Sequence, residues 1–178
     1  IESLQCMVER RAGGETGVKA VETLQGDAAW RFLDDGWGPL VEAAYGTCPK
    51  KSEAPLKELV KKPVVFSIEY RDGLKAASIL LNGAIQDWAF AGVAGSKTMA
   101  CKFGPMKPAR TLPHFDGLAH NIEELMLTGR APYPVERTVL TTGTLAHLFD
   151  SVRTGRRVET PELGITYTAA NPPYVQTA

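Results

Sequence analysis

The chain has 178 residues, of which 44% are hydrophobic and 22% are charged, as in an ordinary soluble globular protein. Lys and Arg number 20, as do Asp and Glu, so the net charge favours neither nucleic acid nor an anionic membrane surface as a partner. No apolar run is long enough to predict a transmembrane helix. The three separated cysteines form no CxxC pair, which argues against a disulfide framework or a zinc site and favours a reducing, cytoplasmic location.

The first third of the sequence predicts a short helix, a strand and an aromatic-rich helical segment. Residues 4–8 place apolar side chains on one helical face, and Gly13 marks the end of that helix. Residues 18–24 alternate as a strand does, and residues 28–47 are expected to bury aromatic rings in one or two short helices. Residues 49–62, rich in Lys, Pro and Glu, predict a solvated connection.

The clearest pattern covers residues 64–91, where three alternating runs are separated by Asp-Gly at 72–73 and Asn-Gly at 82–83. Both pairs tolerate the positive φ angles of a type I′ turn, so we predict an antiparallel meander, with a fourth strand at 98–103. The GVAGSKT segment differs from a phosphate-binding loop because Ser96 separates the glycine from the lysine. We therefore predict a hairpin loop there.

Two long amphipathic helices are predicted in the last third. The first carries an apolar stripe at helical spacing, formed by Phe115, Leu118, Ile122, Leu125 and Met126. The second begins near Pro134 and carries Val135, Val139, Leu145, Leu148, Phe149 and Val152. Short edge strands are expected at 157–160 and 165–168. The sequence thus predicts one α+β domain at 1–170, built on an open, mostly antiparallel sheet with helices packed on one face, and an irregular tail at 171–178.

Three segments in this order carry a resemblance to a known family. They are IESLQCMVERRAGGETGVKAV, VVFSIEYRDGLKAASILLNG and FDGLAHNIEELMLTGRAPYPVERTVLTTGTLAHLFDSVRTGRRVETP. Together they resemble the C-terminal domain of the glucose-fructose oxidoreductase / inositol dehydrogenase (Gfo/Idh/MocA) family. The resemblance implies the substrate-binding and oligomerisation domain of an NAD(P)-dependent oxidoreductase that acts on a sugar, polyol or related hydroxy compound, and that is not active alone.

No Rossmann βαβ unit can be recognised, and GGETG at 13–17 lacks the spacing and the preceding strand of a dinucleotide fingerprint. The resemblance therefore implies that NAD(P), and the Lys and His that transfer protons, belong to a missing half, and that this chain itself binds no cofactor and no metal. The family's H-x-x-D motif would place its acidic residue at Glu2, with the histidine two residues before Ile1. Glu2 is the first substrate-binding candidate because its helix start would border the cleft.

His114 and Asp116, at the start of the first long helix, are two further substrate-binding candidates. A His-Asp pair can carry out acid–base chemistry, but an i, i+2 spacing puts the two side chains on different helix faces. Asp116 also fits a purely structural role as a first-turn charge. No catalytic residue is assigned. The alternative function is a non-catalytic binding or scaffold module whose open sheet face binds another protein.

The predicted sheet lacks a clearly polar face. In a sheet covered on one side, apolar and polar side chains should alternate cleanly along each strand. Here the face away from the long helices would instead expose Ala77, Ile79, Ala89 and Ala91 to water. We therefore predict a symmetric homo-oligomer through the sheet face, most simply a C2 dimer. The alternative is that a loop such as 49–62 folds over that face.

Overall fold

A computed structural model of the chain describes residues 1–49, 52–103 and 114–170 and shows an α+β fold around an open antiparallel sheet, as the sequence predicts. The helices are α1 (Glu2–Val8), α2 (Asp27–Phe32), α3 (Gly38–Tyr45), α4 (Leu56–Leu59), α5 (His114–Thr128) and α6 (Val135–Thr154). The strands are β1 (Val18–Gln25), β2 (Val64–Tyr70), β3 (Lys75–Leu80), β4 (Trp88–Ala94), β5 (Lys97–Phe103) and β6 (Val158–Glu159).

The main sheet has the strand order β3-β2-β1-β6, with β1 and β2 in its middle. Val21 lies opposite Ile68 across the β1–β2 pair, and Glu69 lies opposite Lys75 across the β2–β3 pair. β6 adds a short edge to β1, in agreement with the edge strand predicted near residue 158. Of these strands, β1 is contacted by both α2 and α6, whereas α3 contacts β4 and β5.

The connection between β2 and β3 is a turn over residues 71–73, but it is not of type I′. A type I′ turn requires positive φ at both central residues, and only Gly73, at φ +88°, has one. The Gly73 N–H donates to the Tyr70 carbonyl, and the Asp72 carboxylate accepts from the Leu74 N–H. Asp72 therefore stabilises the turn through the hydrogen bond of its side chain, as aspartates in turns commonly do.

The predicted meander is wrong in its third strand. Residues 84–87 form no strand, and β4, which begins at Trp88, pairs with β5 in a separate two-stranded sheet. Ala84 is completely buried against a helical cluster, which explains why an apolar run there resembles a strand. The turn at Gly95 joins β4 to β5, so GVAGSKT is a hairpin loop, as predicted.

Alternate side chains of the main sheet enter two different apolar clusters, because successive residues of a strand point to opposite faces. One cluster includes Val8 of α1, Leu140 and Leu148 of α6, and Val21, Ile68 and Ala76 of the sheet. The other includes Ala29 of α2, Val41 and Tyr45 of α3, Leu56 and Leu59 of α4, and Leu24, Val65, Ala77 and Ile79 of the sheet. Helices thus reach both faces.

The second apolar cluster includes residues that the sequence analysis expected on the exposed sheet face through which a dimer would form. Ala77 and Ile79 pack inside the chain against the same buried cluster as Leu56 and Leu59 from segment 49–62. Ala89 and Ala91 belong to β4 and therefore to the other sheet. The structure thus places Ala77 and Ile79 against a cluster to which α2, α3 and segment 49–62 all contribute.

The two long helices form as predicted but present their apolar stripes outward. We call the group Phe115, Leu118, Ile122, Leu125 and Met126 the α5 stripe. We call the group Val135, Val139, Leu145, Phe149 and Val152 the α6 stripe. All ten side chains are exposed. α6 instead packs on β1 through Leu140, Leu148 and small polar residues such as Ser151, whose hydroxyl accepts from the Thr23 N–H.

The C-terminal segment crosses back over the start of β1. Of the predicted edge strand at 165–168, the structure retains one bridge, between Tyr167 and Glu15. The predicted tail at 171–178 lies outside the described residues. No helix in the described ranges combines the length and apolar character needed to cross a bilayer.

Candidate functional site

A buried polar cluster lies beneath α1, where Gln5 and Glu9 stand one helical turn apart on the same face. Gln5 is only 3% exposed, and both ends of its amide group are bound. Its Nε2 donates to Glu15 Oε2 at 2.6 Å and to the Tyr167 hydroxyl oxygen at 2.7 Å. Its Oε1 accepts from the Tyr70 hydroxyl at 3.0 Å. Gln5 therefore joins α1 to the sheet and to the C-terminal segment.

Glu9 forms the second node of the cluster, with its carboxylate almost fully buried. Its Oε2 accepts from the Tyr167 hydroxyl at 2.7 Å and from Arg137 Nε of α6 at 2.9 Å. Its Oε1 accepts from Arg10 Nη1 at 3.0 Å. A buried carboxylate is tolerated only when it is paired and hydrogen-bonded, and both oxygen atoms of Glu9 satisfy that condition.

Glu15 is the third node and closes the loop between α1 and β1. Its Oε1 accepts from the backbone N–H groups of Thr16 and Gly17 at 2.9 and 2.8 Å. Arg11 approaches the other oxygen at 3.4 Å and bonds Asp72 at 2.6 Å. The Arg11 guanidinium also lies over the Tyr70 ring, at 4.8 Å from its centroid. These contacts fix the loop in one conformation.

Both tyrosines of the cluster, the buried Tyr70 and the partly buried Tyr167, are held in their protonated form. Burial, with the nearby charge of Glu15, raises the pKa of Tyr70 well above the ordinary phenol value. Burial and the hydrogen bond to Glu9 raise the pKa of Tyr167 in the same direction. For Arg137, burial opposes the charge, but hydrogen bonds and charges of Glu2 and Glu9 raise the pKa overall. The cluster is thus a fixed array of donors and carboxylates.

Glu2, the first predicted substrate-binding residue, lies at the outer edge of this cluster. Its carboxylate accepts from Arg137 Nη1, while its side chain remains 64% exposed. Arg137 therefore connects a solvent-facing carboxylate, Glu2, to a buried one, Glu9. A carboxylate beside a guanidinium offers acceptors and donors together, which suits a ligand that carries hydroxyl groups.

The other two predicted site residues are elsewhere. Asp116 is exposed in the first turn of α5, and the side chain of His114 lies outside what the structure describes. No contact that the structure describes joins Asp116 to Glu2, whose ion-pair partner is Arg137. The shallow depression beside Asp116 is lined by residues of α5 alone and is open to solvent. The structure therefore does not bring the three predicted residues together.

The described residues contain no cluster of three or more His, Cys, Asp or Glu side chains arranged to hold a metal ion. The pairings between the named strands are all antiparallel, so these strands form no βαβ unit for a dinucleotide. Cys6 and Cys101 are exposed and Cys48 is buried, each as a free thiol.

Sequence reasoning missed Gln5, Glu9, Glu15 and Tyr167. Their partners are distant along the chain, since Gln5 and Tyr167 are 162 positions apart. One local signal was present: Gln5 and Glu9 are spaced i, i+4, beside the apolar residues of α1. Polar side chains at the edge of a buried helical face need hydrogen-bond partners. The spacing of Gln5 and Glu9 could therefore have predicted that α1 belongs to a polar cluster.

Comparison of the chain with protein-family models, with curated protein sequences and with solved structures finds no match. The resemblance to the Gfo/Idh/MocA C-terminal domain therefore remains a hypothesis drawn from the three sequence segments.

Proposed function

We propose that the chain is the substrate-binding and oligomerisation domain of an NAD(P)-dependent oxidoreductase that acts on a sugar, polyol or related hydroxy compound. In this proposal another domain supplies NAD(P) and the proton-transferring residues, and the chain alone is not catalytic. The α+β fold around an open antiparallel sheet is the fold that the sequence resemblance implies. The observation that carries the proposal is the solvent-facing Glu2, held by Arg137 above the buried cluster.

Rigid placement is what a substrate-binding group requires, because orientation of the reacting carbon lowers the barrier of the chemical step. Arg137 is itself fixed by Glu9, which is bound in turn by Tyr167. The Glu2 carboxylate would accept a hydrogen bond from a substrate hydroxyl, and the Arg137 guanidinium would donate to a neighbouring oxygen. The domain would thereby hold a hydroxy compound against the cofactor of the other half.

Calorimetry on the chain tests both parts of the proposal. NADH should give no binding heat, whereas a polyol such as inositol should bind weakly, at about millimolar dissociation constants. Glu2→Gln should weaken polyol binding at least ~10-fold, and Glu42→Gln, an exposed change on α3, should leave it unchanged. Clear NADH binding, or polyol binding insensitive to Glu2→Gln, would overturn the proposal.

The second candidate function is a non-catalytic binding or scaffold module. The exposed α5 and α6 stripes favour it, because soluble monomers rarely leave so many large apolar side chains in water. The sequence encoded upstream separates the two functions. A βαβ unit with G-x-G-x-x-G and a Lys-Pro dipeptide supports the oxidoreductase, and its absence supports the module.

A further inference from the structure

The largest unexplained feature of the structure is the outward orientation of the two apolar stripes. The ten side chains of the α5 and α6 stripes are between 41% and 80% exposed, with Met126 the most exposed. Together the two stripes present on the order of 1,000 Å², compared with ~800 Å² per partner in a standard interface. The surface is large enough for a stable complex.

The orientation of α5 is the reverse of an ordinary surface helix. Its less exposed side carries Gly117, Asn121 and Glu124, whereas its apolar stripe faces solvent. The Asn121 Oδ1 atom is buried without a hydrogen-bond partner. A helix of a lone globular protein turns its apolar stripe to the core. The helix therefore has the pattern of an element that packs against another molecule.

The same reversal holds for α6, and none of the residues that the structure describes covers either stripe. Val139 and Phe149 of the α6 stripe are 50% and 60% exposed although α5 directly precedes α6 in the sequence. If the two helices covered each other in one chain, both stripes would be buried. The surface that covers them must come from outside the described part of the chain.

Charge favours a second copy as that surface. Residues 115–128 of α5 include Asp116, Glu123 and Glu124 and no Lys or Arg. At 100° per residue, Glu123 and Asp116 lie on one margin of the α5 stripe. The end of α6 and the turn after it carry Arg153 and Arg156, both exposed, and Arg153 also pairs with Asp150 of the same helix at 3.0 Å. Each chain thus carries acidic residues beside the apolar stripe of α5 and basic residues at the end of α6.

We infer that the chain forms a C2 homodimer in which the α5 stripe of each copy packs against the α6 stripe of the other. A two-fold axis brings both pairs together at once, so both stripes of both copies are buried and no free stripe remains for further growth. The acidic margin of α5 then faces the basic end of the partner copy's α6. This contact differs from the sheet-face dimer expected from the sequence and does not depend on the proposed oxidoreductase function.

Light scattering of the full chain, at micromolar concentration, tests the dimer. The wild type should show twice the mass of one chain. Ile122→Glu on α5 and Phe149→Glu on α6 should each raise the dimer dissociation constant at least ~100-fold, because each buries a charge in the contact. Val93→Glu, an exposed apolar position on β4, is the matched control and should leave the dimer intact. A monomeric wild type, or a dimer that survives both stripe variants, would overturn the inference.

A charge-reversal pair tests which helix meets which. Arg153→Glu combined with Arg156→Glu should weaken the dimer, and adding Asp116→Lys with Glu123→Lys should restore it. Further weakening on that addition would overturn the α5-to-α6 pairing. Hydrogen exchange on the wild type needs no variant: α5 amides should become more protected as the protein concentration rises, and concentration-independent exchange would contradict the dimer.

Discussion

Tyr167 joins the nodes of the buried cluster because its hydroxyl group is bound on both sides. The oxygen accepts from Gln5 Nε2 and the hydroxyl donates to Glu9 Oε2, each at 2.7 Å. Tyr167→Phe removes a hydrogen bond to a carboxylate that is almost fully buried. We expect the free energy of unfolding to fall by about 1.5–3 kcal/mol, measured by urea titration followed by circular dichroism.

The control for this change is Tyr133→Phe, at a tyrosine that is 44% exposed. Its effect should stay within ~0.5 kcal/mol, as for most surface substitutions. Equal losses for the two variants would show that the Tyr167 hydroxyl has no special role.

The phenol groups of Tyr70 and Tyr167 also predict how stability depends on alkaline pH. Burial raises the pKa of both Tyr70 and Tyr167, whereas a tyrosine in the unfolded chain ionises near pH ~10. Above that pH the unfolded chain releases protons that the folded chain retains, so stability falls as the pH rises. The contribution of the two phenols is therefore complete below about pH 10 and is lost progressively above it.

Urea titrations between about pH 8 and pH 11 measure this dependence. The wild type should lose stability more steeply above pH ~10 than the Tyr70→Phe/Tyr167→Phe double variant, which lacks both groups. Parallel curves for the two proteins would contradict the predicted coupling between phenol ionisation and folding.

At the scale of elements, the C-terminal segment is held to the start of β1 by a close approach at Gly17. Gly17 has φ +91°, and a Cβ added there would lie 2.5 Å from the Leu163 carbonyl oxygen and 2.8 Å from the Ile165 nitrogen. Gly17→Ala adds backbone strain and a clash with atoms that cannot rotate away. We expect a loss of more than ~2 kcal/mol in the free energy of unfolding, measured by urea titration.

Gly13→Ala is a matched control, because Gly13 has φ +88° with nothing within 4 Å of the added Cβ. Gly13→Ala should lower the free energy of unfolding only by the backbone strain of a non-glycine residue at positive φ, about 1–2 kcal/mol. The difference between the two variants measures the packing of residues 163–165 against β1. Equal losses would mean that the close approach is absent in solution.

The elements with a strong local pattern were predictable from the sequence. Asp72-Gly73 identified the β2–β3 hairpin because the glycine alone supplies the positive φ that the turn requires. The hairpin loop between β4 and β5 was predicted because GVAGSKT lacks the phosphate-loop spacing and lies among predicted antiparallel strands, and the structure gives Gly95 a positive φ there. Helical spacing also placed α5 and α6. In each case the signal lies within a few residues.

What could not be predicted depends on contacts between distant residues. Alternation in 84–91 does not indicate that Ala84 is buried under helices or that β4 lies in a separate sheet from β3. Helical spacing likewise identifies a stripe but not whether it faces the sheet, and α6 packs on the sheet through Leu140, Leu148 and small polar residues. Of the candidate site, the sequence analysis named only Glu2, and it did so through the family resemblance. Its partner Arg137 is 135 positions away, so no local pattern could identify the pair.

At the scale of the whole molecule, the two apolar clusters share the central strands. Val21 and Leu24 of β1 belong to opposite clusters, as do Ile68 and Val65 of β2. Neither cluster can lose its strands without exposing the other. We therefore expect the main sheet and its helices on both faces to unfold as one cooperative unit.

Leu140→Ala tests this cooperativity from the α6 side, where Leu140 is completely buried. The substitution should cost about 2–5 kcal/mol. Trp30 and Trp37 pack against the opposite cluster, so their fluorescence reports the other face. The comparison is made in a Trp88→Phe background, which removes the exposed tryptophan of β4. There, Leu140→Ala should shift the unfolding transition followed by circular dichroism and the one followed by fluorescence by the same amount. The protein concentration is kept constant, because dimerisation would itself shift the transition. A fluorescence transition that stays in place while the dichroism transition moves would show two independently folding units.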